Sequence, residues 1–300
     1  MSHMNKPFLQ KCPLIPLLLG LTSPAFAEEE EVEAPAIPVT NLALVKLNKD
    51  GTPDVASWRA VTNAETYHNQ PHFESNHSLL YTKQMEGQTD IWRYDVSKDE
   101  HSAVTETPES EYSATLMPGG ERFSVIRVER DDSQRLWSFK LDGSSPEIVL
   151  HDVKPVGYHT WLDPDTLALF VLGEPMTLQL AKVSIDKAKV LDADIGRSLH
   201  TQPNTGFISY SVHREAQNEI RLYDTAKETS TRLTDTREEQ QDYVWLTEQC
   251  LLMGEGNSLF KFCEGKGWQK VAEFEGVGAI TRLAVNEDNS LLAVVHAPEA

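Results

Sequence analysis

Four histidines, His68, His72, His159 and His200, and four tyrosines, Tyr67, Tyr112, Tyr158 and Tyr243, fall in short polar stretches that each lead into an apolar run. Imidazoles brought together from such places can hold a divalent metal or move protons. Phenol rings brought together make a stiff, half-polar surface suited to gripping a peptide, a protein loop or a sugar. Neither set carries a local signature. The chain has no HExxH and no CxxC pair, it lacks the G-x-S-x-G of a hydrolase nucleophile, and GEGNS at 254–258 reads as a hairpin turn rather than a phosphate loop. Any site must therefore be assembled by the fold from segments far apart in the chain.

Those segments repeat. Six related strands begin at Leu44, Ile91, Leu136, Leu180, Ile220 and Leu259, spaced 47, 45, 44, 40 and 39 residues apart, and each runs through a polar turn into a second short strand. A different hairpin precedes each of the last five, as in ATLMPGGERFSVIR and HTWLDPDTLALFVL. A further hairpin, ITRLAVNEDNSLLAVV, stands alone near the C-terminus. Four short strands per 40 to 47 residues describe a propeller blade, because one small twisted sheet buries both faces only when it stacks between neighbours. Five complete blades occupy about residues 69 to 275. The C-terminal hairpin and the N-terminal pair around Leu44 and Val61 then complete a sixth. The expected fold is all-β, a six-bladed β-propeller closed by N- and C-terminal strands sharing one blade, over residues 40–297.

The flanking sequence points to export. MSHM reads as a cloning scar; Lys6 and Lys11 precede the apolar Leu14–Leu21 stretch, and Ser23-Pro-Ala25-Phe-Ala27 supplies small residues for signal-peptide cleavage after Ala27. The apolar run is too short and too rich in proline to span a bilayer. Residues 28–39, EEEEVEAPAIPV, read as an acidic flexible tail. Cleavage would remove two lysines and no acid, taking the formal net charge from -19 to -21. Such a surface disfavours nucleic acid. The expectation is thus a periplasmic monomer that neither spans a membrane nor carries a cofactor.

The cysteines give a register. If Gly256-Asn257 is a two-residue turn, Cys250 lies directly opposite Cys263, within disulfide range, in a compartment that favours oxidation.

The repeat resembles the TolB-type propeller repeat, on Asn69-Gln-Pro71-His-Phe73 at the opening, Met117-Pro-Gly-Gly120 and Asp163-Pro-Asp165 at the turn, and Thr231-Arg-Leu-Thr234 at the ending. The N-terminal α/β domain of TolB itself is not expected here, because the propeller accounts for residues 40–297. The resemblance implies an exported propeller that binds a protein or peptide partner in the cell envelope, without a reaction of its own.

Blade-entry segments converge at one end of a propeller channel. Tyr67, Tyr112, Tyr158, His159 and Tyr243 are therefore the candidate partner-binding residues, and Trp161 and Trp245 are expected to wedge between blades. The alternative is a carbohydrate-active, lyase-type propeller using the channel histidines. Propeller lyases that act on acidic sugars also need a basic pocket for the substrate carboxylate. The blade-entry arginines Arg197, Arg237 and Arg282 form no recognisable set in the sequence.

Overall fold

The computed structural model describes residues 37–238 and 240–299. The expected leader, residues 1–27, and most of the acidic tail lie outside the described residues. The strands form six four-stranded antiparallel sheets. Blade 1 holds β3 (His68–Ser75), β4 (Ser78–Met85), β5 (Gln88–Asp95) and β6 (Glu100–Ala103). Blade 2 holds β7 (Ser110–Leu116), β8 (Arg122–Val128), β9 (Gln134–Lys140) and β10 (Glu147–Ile148). Blade 3 holds β11 (Val156–Trp161), β12 (Thr166–Val171), β13 (Thr177–Lys182) and β14 (Lys187–Ala193). Blade 4 holds β15 (Ile195–Thr201), β16 (Ile208–Val212), β17 (Glu219–Asp224) and β18 (Thr229–Asp235). Blade 5 holds β19 (Tyr243–Trp245), β20 (Cys250–Glu255), β21 (Ser258–Cys263) and β22 (Gly267–Glu273). Blade 6 is shared: β23 (Ile280–Val285) and β24 (Leu291–His296) pair with β1 (Asn41–Leu47) and β2 (Pro53–Ala60). The ring is closed by β1 on β24, in register from Asn41↔His296 to Lys46↔Leu291.

Burial peaks at the second strand of each blade and falls towards the rim, which explains much of the residue choice at each level. Second strands are covered on both faces; some read as apolar runs, such as LALFV in β12 and LLAVV in β24, while β8 and β16 carry buried serines. Third strands are half-buried, as in β17, where Ile220 and Tyr223 are buried among half-exposed neighbours. The fourth strand of blade 1, EHSA, is exposed throughout. The buried apolar side chains fall into six clusters, each spanning two neighbouring blades. No blade owns a core of its own, so each depends on the two beside it.

Two serines pin inner strands to the preceding blade. Ser124 of β8 is fully buried; its Oγ accepts from Trp161 Nε1 at 2.9 Å, meets His159 Nε2 at 2.7 Å and donates to the Thr115 carbonyl at 3.3 Å. Ser209 of β16 repeats the junction, accepting from Trp245 Nε1 at 2.7 Å and the Tyr243 hydroxyl at 2.9 Å while donating to the His200 carbonyl at 3.3 Å. A serine oxygen with two lone pairs and one proton is saturated by such a set. With the Ser124 proton given to the Thr115 carbonyl, His159 donates from Nε2, and its buried Nδ1 has no partner among the described residues.

Cys250 pairs directly with Cys263 across the β20–β21 hairpin, and the two are joined in a disulfide. Between blades 1 and 2 lies a buried carboxyl, Glu111 of β7, whose Oε1 accepts from Thr107 Oγ1 at 2.5 Å and lies 3.4 Å from Arg127 Nε. Its Oε2 has no partner, and burial pushes its pKa up to about 7.

Candidate functional site

The inner strands β3, β7, β11, β15 and β23 each break register near the channel mouth, at Asn69/His72, Tyr112/Thr115, Val156/Tyr158, Ile195/Leu199 and Ile280/Arg282. A bulge bends its strand and re-aims the side chains beside it. Gln70 and Ser113 sit in these breaks with left-handed backbone, at φ 54° and 56°. At the same level in blade 4 is Gly196, where an added Cβ would lie 2.4 Å from Ser211 Oγ and 2.7 Å from Gln241 Oε1. A larger residue there would displace Gln241 Oε1 from the Arg197 backbone N–H that it accepts from.

Tyr112, Tyr158, Arg197 and Arg282 stand at or beside these breaks, and Tyr67 and Asp242, each just ahead of its inner strand, complete a set with one side chain from each blade. Tyr158, Arg197, Asp242 and Arg282 line a cavity of about 170 Å³ in the channel, and both arginines and both other tyrosines act electrostatically on Tyr67. Arg197 Nε donates to Asp242 Oδ2 at 2.9 Å, with its Nη2 on the same oxygen. Arg282 Nη2 lies 3.4 Å from Asp242 Oδ1, and its guanidinium carbon sits 5.0 Å from the centre of the Tyr158 ring. Burial raises the Tyr67 pKa above that of a free phenol, against the opposing pull of Arg282, so the hydroxyl keeps its proton. Among the described residues, the hydroxyls of Tyr67, Tyr112 and Tyr158 donate to no protein acceptor. Those of Tyr81, Tyr94, Tyr210 and Tyr243 all have polar side-chain partners.

The expected tyrosine collar is thus divided. Tyr67, Tyr112 and Tyr158 come together, whereas Tyr243 is 1% exposed, within the blade 4–5 cluster, and leaves the mouth position to Asp242. His159 lines the cavity wall but directs its imidazole to Ser124, between blades 2 and 3. Trp161 and Trp245 lie in interblade clusters. Of the other histidines, His72 and His200 line the same cavity, while His68 is turned away from it and packs beside Tyr81. Burial disfavours each imidazolium and pulls the pKa down, to about 4 for His72, about 3 for His159 and about 4 for His200. All three are uncharged at neutral pH. No group of three or more His, Cys, Asp or Glu among the described residues stands close enough to hold a metal ion.

The arginine expectation is corrected. Arg197 and Arg282 do form a set, through their shared Asp242, while Arg237 is drawn away to Glu255 at 2.6 Å. In blades 2 to 6 the signal lay in counting back from the last paired residue of the inner strand, a count that Tyr67 of blade 1 does not follow. Tyr158, Asp242 and Arg282 stand three before Trp161, Trp245 and Val285, and Tyr112 and Arg197 stand four before Leu116 and Thr201. The extra residue in the latter two is absorbed by longer bulges.

No protein-family model and no curated protein matches the sequence. Among solved structures, the chain is similar to a protein assigned as TolB from Agrobacterium tumefaciens, at 12% identity and a TM-score of 0.69, over 87% of this chain and 100% of that one. It is also similar to TolB from Acinetobacter baumannii, at 12% identity and a TM-score of 0.59, over 86% of this chain and 63% of that one. An oligogalacturonate lyase in complex with manganese matches at 12% identity and a TM-score of 0.54, over 86% and 91%. These likenesses show the fold, a TolB-like six-bladed β-propeller.

Proposed function

We propose that this propeller binds a protein or peptide partner at the channel mouth, without a reaction of its own. The observation that carries this reading is the half-buried set of Tyr67, Tyr112 and Tyr158, whose hydroxyls have no acceptor among the described residues, at a cavity of about 170 Å³. Rings held stiffly with an unspent donor at the tip suit the centre of an interface. The cavity is smaller than the ~300 Å³ from which enclosing small-molecule sites usually start. The cavity histidines, with pKa values near 3 to 4, are weak bases at neutral pH, well below the value that favours general-base work. A cell-envelope location belongs to the same reading, supported by the leader pattern and by the Cys250–Cys263 disulfide.

Affinity capture from a periplasmic extract tests it, with the wild-type chain and with Tyr112→Ala and Tyr158→Ala as baits. Each truncation is expected to weaken retention of the partner by roughly tenfold, the usual loss at a central aromatic. Equal recovery by all baits would remove the mouth from the binding surface.

A second reading rests on a separate observation. His72, His159 and His200 line one cavity, and the oligogalacturonate lyase shares the fold. Incubation with oligogalacturonides and Mn²⁺, followed by ultraviolet absorbance of the unsaturated product, decides it. Turnover lost in His72→Ala and His200→Ala would replace the binding reading.

A further inference from the structure

The mouth carries an unbalanced charge. Two guanidiniums share one carboxylate, and the histidines below them are neutral, so the ring keeps one net positive charge within a chain of formal charge -19. Arg197 holds Asp242 from two nitrogens, which leaves Arg282 with one long ion-pair contact at 3.4 Å, beside Tyr158. The Arg282 side chain is only 17% exposed and that of Asp242 only 8%. A guanidinium this far out of water calls for a counter-charge with matching hydrogen bonds, and Asp242 meets most of its valence elsewhere. Tyr158 faces the Arg282 guanidinium, and Tyr67 adds a second hydroxyl within its field. The flat fork of an arginine beside phenolic donors matches the two oxygens of a carboxylate better than any other common anion of peptides.

We propose that Arg282, flanked by Arg197 and the hydroxyls of Tyr67 and Tyr158, is a carboxylate-binding subsite that receives an acidic side chain or the C-terminal carboxylate of the partner peptide. This rests on the binding reading above and gives it a chemical specificity. The tyrosines supply contact area, and the arginines decide which peptide end or side chain enters the channel. The neutral histidines keep the wall polar without adding a competing cation.

Bead-bound pools of N-acetylated pentapeptides provide the test. One pool carries a C-terminal amide and no acidic residue, one an amide with a single Asp or Glu, and one a free C-terminal carboxylate with no acidic residue. Labelled wild-type protein should be retained on at least one carboxylate pool on the order of tenfold more than on the neutral pool, at low salt. The preferred pool identifies the source of the carboxylate. Arg282→Gln should abolish the preference, and Arg282→Lys, which keeps the charge but loses the fork, should restore part of it. Thermal midpoints of both variants check that they fold. Equal retention on all pools, with loss in Tyr112→Ala, would overturn the subsite and leave the peptide reading standing. Absence of retention on every pool would overturn both, and calorimetry with trigalacturonate would then show whether the carboxylate belongs to a sugar.

Discussion

Replacing Ser124 by alanine should cost far more than the loss of one hydroxyl suggests. The Oγ is buried and holds two donors from the next blade, Trp161 Nε1 at 2.9 Å and His159 Nε2 at 2.7 Å. Alanine leaves both without an acceptor, where water has little access, and each stranded group costs about 1–3 kcal/mol. The expected destabilisation is therefore about 2–4 kcal/mol in urea titrations followed by tryptophan fluorescence. At roughly 2–4 °C per kcal/mol for a domain of this size, the midpoint should fall by about 4–16 °C. Ser209→Ala should match it, because Trp245 and Tyr243 occupy the same relation to Ser209. A cycle isolates the cause. In a Trp161→Phe background no indole N–H remains to be stranded, so Ser124→Ala should cost about 1 kcal/mol less than in the wild type. A cost below about 0.5 kcal/mol at both serines, or one unchanged by Trp161→Phe, would refute the view that these junctions lock the blades.

The disulfide closes a loop with a sequence separation of 13, worth about 3 kcal/mol on the chain-entropy model. Thiol titration of denatured, unreduced residues 28–300 should find no reactive thiol, and Cys250→Ser with Cys263→Ser should lower stability by up to that amount; two free thiols in the wild type would remove the bridge. Glu111 has a folded pKa of about 7, raised above its ordinary value by burial, so its contribution is fully present below the unfolded pKa and is lost as pH rises through about 7. Glu111→Gln should therefore gain on the wild type between pH 5 and pH 8, the buried histidines cancelling in the comparison. A stability difference that does not change with pH would show that the carboxyl is not held protonated.

The ring and its joined ends were legible because burial writes them into the chain: a deeply buried second strand, a half-buried third and a largely exposed fourth recur from blade to blade. The cysteine register was legible for a simpler reason, since a two-residue turn leaves one pairing. The mouth was only half legible. Tyr158 and Tyr243 look equivalent, yet one stands three residues before its tryptophan and the other two, and a single step in a strand sends a side chain to the opposite face. Bulges shift the count again in blades 2 and 4. The pairing of Arg197 and Arg282 through Asp242 joins three blades and has no local pattern at all; it exists only once the channel has formed.

The seam in blade 6 also has a temporal meaning. β1 is among the earliest strands of the fold to be synthesised, and its hydrogen-bonding partner β24 is the last, 255 positions away at the Asn41–His296 pair. Until then NLALVKL, five of whose residues are destined for the interior, has an open edge able to recruit any passing strand. Nascent chains that stall before Leu291 should thus be stickier than the finished protein, and a holdase that shields this one heptapeptide would protect the whole molecule.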